Sequence, residues 1–231
     1  VQNGANLVIN GGTYVGNISA IYVYEGKLTV NGGRFSVQQK SNFNDSRYLL
    51  NCLDKNYKNG KSVIEVTGGS FVAFNPANNA AEGVNTDFVA DGYMAVSSGE
   101  NYEVVKVAAT DGTTKYATLE EAIANGNEIK LADDLVFTSD VAITKVISID
   151  LNGHDVEFKN GAGFAVYANG ELTIGGNGNV STREVCLYAT NGGKIIVNGG
   201  TYTSSDNFVV GTNGSANRAS STIIINGGTF N

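Results

Sequence analysis

Residues 64–71 read IEVTGGSF, and the same phrase returns as LVINGGTY at 7–14, LTVNGGRF at 28–35, IIVNGGTY at 195–202 and IIINGGTF at 223–230. A degenerate copy, LTIGGNGNV, begins at Leu172. In the first of these, Ile64 and Val66 flank Glu65, and the alternation of a strand sends the charge to one face and both apolar groups to the other. The inward slots are aliphatic in every copy. The outward slot holds Val8, Thr29, Glu65, Thr173, Ile196 or Ile224, a mixed set suited to a solvated face. Asn or Thr follows (Asn10, Asn31, Thr67, Asn198, Asn226), then a glycine pair: Gly11-Gly12, Gly32-Gly33, Gly68-Gly69, Gly199-Gly200 and Gly227-Gly228. Lacking a Cβ, these pairs permit a sharp bend. One outward polar or basic residue comes next, then an inward aromatic: Tyr14, Phe35, Phe71, Tyr202 or Phe230. The unit is strand, corner, strand.

The copies form two clusters, with the pairs beginning at Gly11, Gly32 and Gly68 in one and at Gly199 and Gly227 in the other. Intervals of roughly 20 to 40 residues with variable insertions predict a solenoid rather than a compact globule. A further strand and a Gly-bearing turn precede three of the phrases, in IYVYEGKLTV from Ile21, VYANGELTI from Val166 and LYATNGGKIIV from Leu187. Each coil is therefore expected to hold about three short strands in about 21 to 30 residues, stacked in register at about 4.8 Å around an aliphatic column. Asn10 and Asn31, and likewise Asn198 and Asn226, fall at equivalent corners, where side-chain amides can bond along the axis. On these residues the chain resembles the right-handed parallel β-helix (pectin-lyase-like) superfamily, and in particular the GGTF-repeat surface proteins of gut anaerobic bacteria. Residues 7–74 and 141–231 carry the resemblance.

Composition agrees with many short strands. The 231 residues include 30 Gly and 29 Asn, which tolerate positive φ, against one Pro and no Trp. With 15 Lys+Arg and 22 Asp+Glu the net charge is −7, so the positive field that nucleic acid requires is missing. No apolar run approaches the roughly 18–20 residues of a bilayer span. Cys52 and Cys186, with no CxxC and no His/Cys cluster, argue against zinc, and two buried free thiols fit better than a disulfide. No cofactor or metal is expected.

The phrase lapses between Phe74 and about Val141. Residues 74–96, FNPANNAAEGVNTDFVADGYMAV, resemble the terminal cap that follows the last coil in GGTF proteins, and 88–96 with 102–107 read as a hairpin around SSGEN. Residues 108–117 read as a linker. In TLEEAIANG, Thr118 as N-cap, Glu121 three residues on and Gly126 at the C-terminus predict a two-turn helix whose apolar face is Leu119, Ala122 and Ile123. By resemblance, that helix lids the open end of a second β-helix. The expected division is thus 1–107 as the later part of a first β-helix with its cap and hairpin, 108–117 as linker, and 118–231 as the start of a second. Both ends of the sequence fall inside the repeat, so continuation of the β-helix or end-to-end association is expected there.

The superfamily includes polysaccharide lyases and hydrolases, which place several carboxylates on one groove. Here they are scattered, and only Asp133 and Asp134 adjoin. His154, the single His, stands between Asp150 and Asp155 in DLNGHDV, where the resemblance makes it a corner residue. A binding face is the more productive reading. Tyr167 and Tyr188 are expected in one outward slot of consecutive coils, with Tyr22 in the matching slot of the first body. They offer either a flat platform for sugar or protein, or simple cross-strand stacking. The insertion 38–61, with Lys40, Arg47, Lys55, Lys58 and Lys61, is a basic excursion that reads either as a recognition loop or as a solvated one. The resulting expectation is a non-catalytic, extracellular, adhesin-like bacterial scaffold that displays loops to glycans or proteins. A polysaccharide lyase or hydrolase fragment and a bacteriophage fibre or tail-spike segment are the alternatives.

Overall fold

The computed structural model describes residues 1–42, 45–212 and 219–231. The chain is all-β, with two short helices among the described residues, and divides into two compact units, Val1–Lys106 and Val107–Asn231.

In the first unit the repeated phrases stack in register. Strands Ala5–Ile9, Gly26–Val30 and Ser62–Val66 pair in parallel, aligning Leu7, Leu28 and Ile64 inward and Val8, Thr29 and Glu65 outward. After the corner, Thr13–Gly16, Arg34–Val37 and Gly69–Val72 pair in parallel and align Tyr14, Phe35 and Phe71. These rings stack at 5.1 Å with 10° between successive planes. A third side pairs Ile21–Val23 with Leu50–Cys52. Leu28, Val30, Phe35, Val66 and Phe71 are wholly buried, so the aliphatic and aromatic slots make the core that the alternation requires.

Two features of the glycine pair explain its recurrence. The second glycine takes positive φ each time, from 90° at Gly200 to 111° at Gly228. The first is needed where another rung packs beneath it: a Cβ on Gly68 would lie 2.3 Å from the Asn31 carbonyl oxygen. Beside these glycines, Asn31 Nδ2 donates to Asn10 Oδ1 at 2.8 Å and Thr67 Oγ1 donates to Asn31 Oδ1 at 2.7 Å. In the second unit Asn226 Nδ2 donates to Asn198 Oδ1 at 2.9 Å. There the corner does not interrupt the strand. Lys194–Ser204 and Thr222–Phe230 run through it, with register shifts on either side of Asn198.

The second unit opens with the helix Leu119–Asn125. Thr118 Oγ1 accepts from the Glu121 N–H at 3.1 Å, while Glu121 Oε2 reaches the Ala117 N–H rather than that of Thr118. Leu119 and Ala122 join the core. Successive parallel strands follow on three sides: Glu128–Leu131, Val146–Asp150, Glu171–Gly175 and the first halves of the two long strands; Leu135–Phe137, Val156–Phe158, Asn179–Thr182 and their second halves; and Val141–Ile143, Phe164–Val166, Leu187–Ala189 and Val210–Thr212.

Three expectations need correction. Residues 108–117 are not a linker: Ala109–Thr110 pairs antiparallel with both Lys115–Tyr116 and Glu128–Leu131, and Ala108, Ala109 and Tyr116 are buried. The Asp111 carboxylate closes this turn, accepting from Thr113 N–H, Thr114 N–H and Tyr116 O–H, which hold it well below the usual carboxylate range. Gly126 does stand at the helix C-cap, in extended backbone (φ −110°), with its N–H donating to the Ala122 carbonyl. The hairpin comprises Tyr93–Ser98 and Asn101–Lys106, antiparallel on Gly69–Val72, because Val89 instead bridges in parallel to Val66. Finally, the 38–61 insertion is partly core: Leu49 and Leu50 are fully buried, and Asp54–Lys58 is a short helix. Phe43 and Asn44 of that insertion lie outside the described residues.

Candidate functional site

In the second unit, the strands that follow the corner carry polar residues on both sides of each inward group, in Asn179-Val180-Ser181, Thr201-Tyr202-Thr203 and Thr229-Phe230-Asn231. Val180 and Tyr202 are fully buried, which forces their neighbours outward. Register then assembles two rows: Asn179, Thr201 and Thr229 in one, Glu157, Ser181 and Thr203 in the other. Within a row the spacing is about 4.8 Å, and the rows lie about 6.7 Å apart, the fixed dimensions of a sheet. The residues are held as well as placed. Asn179 Nδ2 donates to Asp155 Oδ1 at 2.7 Å and Asn231 Nδ2 to Thr203 Oγ1 at 3.5 Å.

A groove lies at each end of this face. One, of about 450 Å³, runs along Gly176, Gly178, Gly199, Gly200 and Gly228, where side-chain-free backbone borders Asn179, Thr201 and Thr229. The other, of about 380 Å³, is lined by Glu157, Lys159, Asn160, Ser181 and Arg183. Its charges are balanced: Lys159 pairs with Glu157 at 3.7 Å, and Arg183 donates to Asp206 through Nε at 3.1 Å and Nη2 at 2.9 Å. That guanidinium lowers the Asp206 pKa. The surface offers closely spaced hydroxyls, amides and planar charged groups on a rigid frame, a chemistry suited to a polyhydroxylated ligand.

The residues singled out in the sequence are placed differently. Tyr167 and Tyr188 do not share a slot. Tyr188 pairs with Ala165, so Tyr167 sits two positions further along. The step between these strands is 23 residues, as it is where Lys194 lies opposite Glu171. The step of 21 residues that would align the two tyrosines occurs elsewhere, between Asn10 and Asn31 and between Leu135 and Val156. Tyr22 lies opposite Asn51, and both Tyr22 (43 % exposed) and Tyr24 (51 %) face solvent. Of the basic residues, Lys40 pairs with Asp45 at 2.6 Å and Lys61 with Glu25 at 3.9 Å, while Lys55 and Lys58 fall in the last turn of the short helix and Arg47 is half-buried. The polar rows escape a reading of the phrase that ends at the inward aromatic. Their signal is the polar residue on its far side.

The carboxylates are tied into the frame. Asp134 accepts from the Asp155 N–H at 3.0 Å and stands 3.3 Å from His154 Nδ1, Asp150 accepts from the Asn152 N–H, and Asp140 from the Gly163 N–H. No group of three or more His, Cys, Asp or Glu side chains that would hold a metal ion occurs among the described residues. Nor is any helix among them long and apolar enough to cross a membrane. No family model, curated protein or solved structure matches the chain.

Proposed function

We propose that this chain is a non-catalytic module of an extracellular bacterial surface or secreted protein, built as two right-handed parallel β-helical bodies that present a rigid face to glycans. In-register parallel ladders on three sides of each unit support the β-helix, and the strong preference of parallel crossovers for one hand supports its right-handedness. The observation that carries the binding role is the pair of registered polar rows, Asn179–Thr201–Thr229 and Glu157–Ser181–Thr203, between two open grooves. Charge balance along the second groove favours neutral sugars. The acidic groups serve as hydrogen-bond acceptors for backbone and cross-rung partners, which supports display rather than hydrolysis or elimination.

The test is a glycan array followed by titration calorimetry. Binding of neutral oligosaccharides is expected, with Thr201→Val weakening it by about fivefold to tenfold, the worth of one neutral hydrogen bond. Failure to bind any glycan overturns the reading. So does the release of new reducing ends or unsaturated uronic acids from a polysaccharide, which identifies an enzyme instead.

A further inference from the structure

The corner that follows Glu171–Gly175 breaks the amide ladder. Asp150 ends the strand Val146–Asp150 in the slot that Asn10, Asn31, Asn198 and Asn226 fill in other rungs, and opposite it in the next rung stands Gly175. No amide therefore lies over its carboxylate, as Asn31 lies over Asn10. Asp150 Oδ1 accepts from the Asn152 N–H at 2.9 Å, one of about four bonds that a carboxylate can take. The same oxygen leans over Gly176. A Cβ there would lie 2.1 Å from it, and φ at Gly176 is +85°, so the position requires glycine.

Beside this acceptor the backbone offers donors. The N–H groups of Gly176, Asn177 and Gly178 have no hydrogen-bond partner among the described residues, and Gly176 and Asn177 are exposed. The loop is held all the same, because its carbonyls are taken. Gly175 accepts from the Leu151 N–H at 2.8 Å, Asn177 from the Gly153 N–H and Gly178 from the Thr201 N–H at 2.9 Å. The next donor along the chain, the Asn179 N–H, is turned to Asp155 at 3.2 Å. Successive free N–H groups on a fixed loop make a cradle for an electron-rich oxygen.

Over these groups lies a groove of about 370 Å³, bordered by Asp150, Asn152, Gly153, Gly176 and Asn177. It shares Gly176 and Asn177 with the groove along Asn179, Thr201 and Thr229, and no hydrophobic residue lines either one. An anion here would face the Asp150 carboxylate, and a cation would face three N–H dipoles. The site instead suits a group that accepts and donates from adjacent atoms. A vicinal diol does so. An acetamido group does so too, but its methyl would find only polar lining. Resting on the glycan-binding role proposed above, we infer that Asp150 and the Gly176–Gly178 loop form a subsite for a vicinal diol of an unsubstituted sugar ring. One hydroxyl oxygen accepts from the loop N–H groups, and its neighbour donates to Asp150.

Amide NMR spectra of the full chain test this, titrated with glucose, mannose, galactose, N-acetylglucosamine and any oligosaccharide that the glycan array retains. The Gly176, Asn177 and Gly178 resonances are expected to shift with at least one unsubstituted sugar. Asp150→Asn, which keeps an acceptor for the Asn152 N–H, is expected to weaken that binding at least about fivefold, as a charged hydrogen bond becomes a neutral one. Glu120→Gln, on the exposed side of the helix Leu119–Asn125, leaves it within about twofold, its charge being screened by salt. Shifts confined to other amides, or undiminished binding by Asp150→Asn, overturn the subsite while the glycan-binding role stands. A stronger response of the three amides to N-acetylglucosamine than to every unsubstituted sugar assigns the cradle to an acetamido group and overturns the diol. If no sugar is bound in solution or on the array, the role and the subsite fall together.

Discussion

Asn31 donates to Asn10 across 21 residues of sequence and accepts from Thr67 across 36, so one exposed amide ties three rungs together at the same corner. Replacing it with Ala removes both bonds and leaves Asn10 and Thr67 to water. A loss of about 1 kcal/mol is expected, or roughly 4–8 °C in the melting of the first unit, read by calorimetry. Because the chain has two units, the transition must be assigned before the shift is measured.

The two first-position glycines at 11 and 68 look interchangeable in sequence but differ in surroundings. Nothing lies within 4 Å of a Cβ placed on Gly11, whereas on Gly68 it would meet the Asn31 carbonyl oxygen at 2.3 Å. Gly11→Ala is expected to change stability by less than about 0.5 kcal/mol. Gly68→Ala should cost about 1–3 kcal/mol, as backbone must move to admit the methyl group. Equal effects in denaturant titrations would contradict the stacking described above.

Phe35 is wholly buried between Tyr14 and Phe71. Phe35→Ala opens a void in the middle of the column and is expected to cost about 3–5 kcal/mol. Tyr14, half-buried at the open end, should tolerate Tyr14→Ala at less than half of that cost. Comparing the two by chemical denaturation separates the ring stack from the phenol's own bond to the Gly11 carbonyl.

Glu82 gives the first unit a pH response. Its Oε1 accepts from the Cys52 N–H at 2.5 Å, standing where a further strand would pair, while Oε2 is buried without a partner. Burial, with Asp54 nearby, raises its pKa against the opposing pull of the Cys52 N–H and Lys58. The folded state therefore holds the proton more tightly than the unfolded one. The stabilisation is fully present below the ordinary glutamate pKa of about 4.3 and is lost as pH rises through the raised folded value. Glu82→Gln should flatten this slope in melting experiments run across pH. A slope left unchanged assigns it to other groups.

Cys52 and Cys186 are buried, and desolvation lifts their thiols to about 12 and about 11. Neither should react with a thiol reagent at pH 8 in the native chain, and both should titrate fully after unfolding.

Much of the architecture was legible because the phrase states its own geometry. Alternation fixed Ile64 and Val66 inward and Glu65 outward, and the recurrence of Asn before four of the five glycine pairs announced the amide contacts, with Thr67 in the remaining slot. What escaped depended on distance in space rather than on pattern. The Tyr167–Tyr188 pairing failed because step length varies from rung to rung, and the step here is 23 residues rather than the 21 of the first interval, which sets Tyr188 opposite Ala165 instead. The polar stretch around Glu82 gave no hint that its carboxyl would be buried against Cys52. Residues 108–117 read as linker since two-residue strands are too short to show a period. At the candidate face, each polar residue looks ordinary alone, and only the register of neighbouring rungs gathers them into rows.

The rung that contains residues 38–61 makes a point about change over time. Ile64 stays opposite Leu28, just as Leu28 stays opposite Leu7, although the chain between the first two is much the longer. Part of the extra length is anchored in the core through Leu49 and Leu50, and lengthening an exposed loop between such fixed anchors is opposed only by a slowly growing, logarithmic entropy. Insertion can thus rewrite what one storey shows to the outside while the storeys above and below keep their alignment.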